Sequence, residues 1–77
     1  MYDWSYFAPD PGKNAAMAIR LDSEGSKAQA VKYYQRACDD LVELARTYSR
    51  NYQAVKVWME RHNAYQNRIR ALKLNLQ

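Results

Sequence analysis

The stretch Asp22-Ser-Glu-Gly-Ser-Lys-Ala-Gln-Ala-Val-Lys-Tyr-Tyr-Gln-Arg-Ala-Cys-Asp-Asp-Leu41 decides the fold. It reads as a turn followed by the first half of a long helix. Gly25 supplies the positive φ that ends a preceding helix. Ser26 reads as the N-cap of the next helix, with Gln29 three residues on completing a capping-box pattern. After the turn, Ala30, Tyr34, Ala37 and Leu41 recur at intervals of four, three and four and so line one helix face. Small and large residues alternate along that face. A neighbouring helix approaches over the alanines while Tyr34 and Leu41 fill the space between, so the pattern specifies a helical hairpin.

Working outward, the preceding helix is expected to start at Pro11 or Asn14 and to run to about residue 24. Its apolar positions Ala15, Ala18 and Ile19, flanked by Met17 and Leu21, are mostly small, so it should lie close to its neighbours. The central helix should extend from about 27 to 48, with Val31, Cys38, Val42, Leu44 and Ala45 widening its stripe enough to touch two partners. Tyr48 to Tyr52 has no helical stripe and reads as a short connection to an antiparallel neighbour. A third helix is expected from about 52 to 76, where Val55, Trp58, His62, Tyr65, Ile69, Leu72 and Leu76 alternate three and four apart. The expected fold is all-α, an antiparallel three-helix bundle over residues 13–77, preceded by an aromatic and proline-containing arm over residues 1–12. Tyr2, Trp4, Tyr6 and Phe7 lie in that arm with Pro9, Asp10 and Pro11. The arm has two readings, folding back on the bundle or staying mobile until a partner orders it; four aromatics are better buried than wet, which favours folding back.

Seventy-seven residues make one small domain. No apolar run approaches the ~18 residues of a membrane span, and the N-terminus lacks the basic-then-apolar layout of a signal peptide. A soluble intracellular protein is expected, and a single cysteine agrees with a reducing compartment. The net charge of +4 is uneven: residues 1–49 hold six basic and seven acidic side chains, residues 50–77 six basic and one acidic. The last helix is the cationic one. Such a face suits an acidic partner, whether peptide, nucleic acid or anionic membrane.

Catalysis finds no inventory here. His62, the single histidine, sits on the apolar seam of the third helix, and Cys38 reads as a small buried hydrophobe. Metal-ligand spacing, a nucleophile with a base and a glycine-rich phosphate loop are all missing from the sequence, so neither metal nor cofactor is expected. Asp39 and Asp40 are neighbours that diverge on a helix and make a poor acid/base pair. Asp22 is different. An acidic residue near a helix C-terminus opposes the helix dipole, so it should cap the next helix or pair with a base on the third.

Taken together, Ala18, Asp22, Gly25, Ala30, Tyr34, Ala37 and Leu41 resemble the MIT (microtubule-interacting and trafficking) domain, a three-helix module of ESCRT-associated proteins. The resemblance covers roughly residues 13 to 77 and is strongest to the MIT domains at the N-termini of AAA ATPases that disassemble ESCRT-III polymers. It implies a structural frame of Asp22, Gly25, Ala30, Tyr34, Ala37 and Leu41, to which the seam of the third helix adds Trp58, Tyr65, Ile69 and Leu72. It further implies a non-enzymatic adaptor that binds short motifs in the C-terminal tails of ESCRT-III-like proteins, with no small-molecule substrate, in the cytoplasm, reaching membranes through its partners. MIT-like domains take a helical motif between helices two and three or an extended proline-containing motif between helices one and three. Where binders of the helical motif present an apolar residue on helix three, this chain has Gln66, which favours the extended motif. Ala15 and Ile19 would then form the floor, with Arg61 and Arg68 as charged rims. Such domains also sit on proteases, kinases and deubiquitinating enzymes, and a small basic helical nucleic-acid-binding module is the alternative from another class.

Overall fold

The computed structural model describes residues 11–76. The arm's expected fold-back lies outside the described residues. Three helices follow in order: α1 Pro11–Ser23, α2 Lys27–Thr47 and α3 Tyr52–Leu74. They form the expected all-α three-helix bundle, with α2 packed against both neighbours. α1 begins at Pro11, the earlier of the two expected starts, and so takes in two residues that the domain boundary at 12/13 had grouped with the arm. Pro11 suits the first helical position because its missing N–H has no intrahelical partner there. Asn14 is therefore inside the helix and does not cap it. Its amide Nδ2 instead donates to Asp40 Oδ2 on α2 at 2.7 Å.

The α1–α2 turn is a Schellman closure. Gly25 has φ of 85°, its N–H donates to the Asp22 carbonyl at 3.1 Å, and the Ser26 N–H reaches back to the Leu21 carbonyl at 2.9 Å. This corrects the capping-box expectation: the Ser26 side chain makes no cap hydrogen bond. A capping box needs the cap residue's N–H free for the side chain three residues on, and here Leu21 has taken it. The ψ of 68° at Ser26 also departs from the extended cap conformation. At the second turn the cap does form, with Asn51 accepting from the Ala54 N–H at 3.2 Å. α3 stops at Leu74, two residues short of its expected end, because the Asn75 and Leu76 N–H groups bond three residues back, to Leu72 and Lys73, in a tighter turn. Leu76 is consequently exposed and leaves the seam.

Ala18, Ala30, Tyr34, Cys38, Ile69 and Leu72 form the core cluster, with Leu21, Val31, Tyr33 and Tyr65 packed on it. Ala15, Ala37 and Leu41 are buried as well. The small-and-large alternation on α2 is thus used as the sequence implies. The third helix is buried unevenly: Ile69 and Leu72 are buried, whereas Val55, Trp58, His62 and Tyr65 are half-buried. Helix lengths explain the gradient. At about 1.5 Å per residue, α1 is some 12 Å shorter than α2, and because the two meet at the Schellman turn, the shortfall falls at the opposite end.

One expectation about packing needs correction. α1 lies close to α2 but not to α3: no Cα of α1 comes within 8 Å of a Cα of α3, although α2 approaches both. The alanines of α1 that permit close approach, Ala15 and Ala18, are spent on the buried interior. Of the two grooves anticipated, the one between α2 and α3 lies between closely approaching backbones and the one between α1 and α3 between separated ones.

Candidate peptide groove between the first and third helices

Helical phase places Ala15, Ile19 and Asp22 on the side of α1 that turns toward α3, and Arg61, Tyr65, Arg68 and Leu72 on the side of α3 that turns toward α1. Between them run Ala30, Tyr34, Ala37 and Leu41 of α2, all buried. Tyr34 and Tyr65 stack obliquely across the floor with ring centroids 5.7 Å apart.

One end of this groove is spanned by a clasp. Arg68 Nε donates to Asp22 Oδ2 and Arg68 Nη2 to Asp22 Oδ1, both at 2.7 Å. Such a two-pronged pairing fixes geometry as well as charge. The Tyr34 hydroxyl donates to the same Oδ2 at 3.1 Å, so one carboxylate joins all three helices. The Arg68 guanidinium is the main reason the Asp22 carboxyl lies below the ordinary carboxylate range; burial opposes it and the Tyr34 hydroxyl adds to it. Tyr34 moves the other way. Burial, then its bond to Asp22, pushes its phenol above the ordinary value. The partner that Asp22 required is therefore a base on α3, one of the two roles its position on α1 predicted.

The sequence-derived site residues separate into three groups. Ile19, 55% exposed, and Arg61, also exposed, are available on opposite rims. Arg61 makes no hydrogen bond or ion pair with a described residue. Ala15 is buried and contributes floor but little accessible surface, and Arg68, though exposed, is engaged by Asp22. Gln66 belongs elsewhere: it is half-buried on the α2–α3 side, within reach of the Cys38 thiol. That thiol donates to the His62 carbonyl at 3.7 Å. Burial above all pushes its pKa up, with Asp39 adding and Gln66 opposing. His62 is half-buried, with Nδ1 3.5 Å from Asn63 Oδ1.

Two aromatic features at the other end went unremarked in the sequence. Tyr48 and Trp58 pair at 6.1 Å between centroids, and Tyr52 stands 81% exposed. The signal was available, since Tyr48 and Tyr52 bracket a turn that needs no large apolar residue. Among the described residues no group of three His, Cys, Asp or Glu could hold a metal ion, and no helix is long and apolar enough to cross a membrane. No family model, curated protein or solved structure matches the chain.

Proposed function

We propose that this chain is a peptide-binding adaptor of the MIT kind, receiving an extended, acidic, proline-containing segment between α1 and α3. The observation that carries the reading is the separation of the α1 and α3 backbones, with an exposed apolar residue, Ile19, on one rim and, on the other, Arg61, which has no ion-pair partner among the described residues. An extended strand needs little width and offers side chains alternately to floor and solvent. α3 favours an acidic occupant, since Lys56, Arg61, Arg68, Arg70 and Lys73 face a single acid, Glu60, along its length. With Arg68 held by Asp22, Arg61, one heptad earlier on the same face of α3, is the cation placed on this rim to fix the register of a ligand carboxylate. In the MIT setting the partner is the tail of an ESCRT-III-like protein, and the domain recruits a parent AAA ATPase to membrane-remodelling or division sites.

The test is an NMR titration of the full chain with two peptides, one acidic, extended and proline-containing and one an amphipathic helix. The first should shift the amides of Ala15, Ile19 and Arg61, and Arg61→Glu should weaken it roughly tenfold at low salt. Shifts confined to Gln66, Met59 and the outer α2–α3 face would move the site to the other groove and end this reading.

A further inference from the structure

The clasp fixes how far α1 is shifted along α3. The two helices run in the same direction, since each is antiparallel to α2: Asn14 and then Asp22 of α1 meet Asp40 and then Tyr34, while Trp58 and then Tyr65 of α3 meet Tyr48 and then Tyr34. Asp22 and Arg68, 46 positions apart in sequence, therefore mark one common level. The far end of α1 agrees with that offset. Asn14 meets Asp40, and two residues earlier on α2 the Cys38 thiol meets the His62 carbonyl, so Asn14 lies near Glu60, again 46 positions on.

In this register Ile19 is level with Tyr65, and Ala15 is level with Arg61. The first level is apolar: Ile19 is 55% exposed, and Tyr65 is half-buried with its ring against Tyr34. The second sets a small side chain across from a cation that has no ion-pair partner among the described residues. Measured from the clasp, the apolar level is about 4.5 Å away and the cationic level about 10.5 Å. Parallel helices tilt their side chains the same way, so the tilt leaves the separation of about 6 Å unchanged.

We propose that the groove selects a peptide carrying an apolar side chain two residues from a carboxylate, the first between Ile19 and Tyr65 and the second on Arg61. This rests on the adaptor reading and specifies its ligand. An extended chain advances about 3.3 Å per residue, so two residues span about 6.6 Å, one only half of that, and three about 10 Å. Residues two apart also share a face of a strand, so both side chains enter the groove together. The carboxylate belongs at Arg61 because Arg68 already holds Asp22, whose own charge repels an acid brought to the clasp.

The test titrates the full chain with peptides of identical composition, proline-containing, each with one leucine and one aspartate set one, two, three or four positions apart, with the leucine on either side. Affinities are read from the amide shifts of Ile19 and Arg61. The tightest two-apart peptide should bind at least about fivefold better than any other spacing. Arg61→Gln should abolish that preference, and Arg61→Glu should restore it for peptides in which lysine replaces the aspartate. Equal affinities across the spacings, with shifts still at Ile19 and Arg61, overturn the spacing rule and leave the adaptor reading standing. An optimum at another spacing does the same. Absence of shifts with every peptide ends both. Shifts of Ile19 and Arg61 that depend on the concentration of the chain alone assign the groove to a second copy and likewise overturn the proposal.

Discussion

At the scale of single residues, Gly25 and Asp22 have different physical duties a few ångströms apart. A Cβ on Gly25 would meet nothing within 4 Å, so the cost of a side chain there is backbone strain at φ +85° and not collision. Gly25→Ala should therefore destabilise by about 1 kcal/mol, and Gly25→Asn by less, measured by urea denaturation. Asp22 acts through charge. Its carboxyl titrates below the ordinary value of 3.8, so the unfolded chain binds the proton more readily. The resulting stability is complete above that value and disappears as pH falls through the depressed one. Thermal melts of Asp22→Asn should accordingly show a flatter acid limb below pH 4 than wild type, along with a lower Tm at neutral pH. Tyr34 gives the mirror image: its raised phenol pKa contributes stability that is present below pH 10 and lost as pH rises through the folded value. That Asp22 needed a compensating partner, a cap role or a base on the third helix, was legible from its place near a helix C-terminus. Which cation was not, because Arg61, Arg68, Arg70 and Lys73 all lie on the third helix and only helix phase and separation select Arg68.

Among the elements, the two helix starts invite a direct comparison. Asn51→Ala removes a formed cap and should cost about 1 kcal/mol, whereas Ser26→Ala removes a hydroxyl that caps nothing and should change stability by less than about 0.5 kcal/mol. A sequence pattern weighs both alike, since it registers residue type and not whether the backbone N–H is already engaged. The alternation on α2 was more legible. Ala30 and Ala37 are fully buried between the larger Tyr34 and Leu41, so Leu41→Ala should cost about 2–5 kcal/mol and Ala30→Leu about 1–3 kcal/mol by overpacking. Both follow from spacing alone. The burial gradient along α3 does not, because it depends on where α1 begins beside it, a relation between elements that neither helix encodes by itself.

For the whole molecule, α2 is the shared neighbour: α1 and α3 each rest on it, and they meet one another through long side chains instead of backbone approach. Hydrogen exchange should rank the helices accordingly, with the amides of α2 between Ala30 and Leu41 slowest and those in the first two turns of α1 fastest. Equal protection across all three helices would contradict this ordering. The all-α bundle was readable because each helix announces its own period and its own stop. The separation of α1 from α3 was not, since small residues on α1 signal close packing without naming the partner they will pack on. The Asp22–Arg68–Tyr34 clasp adds a last consequence. It ties the two helices together at one end of the groove, which gives the groove a polarity. On the proposed function, a strand lying in the groove would meet the clasp at one end only, so a peptide and its reversed sequence, identical in composition and charge, should bind with different strengths.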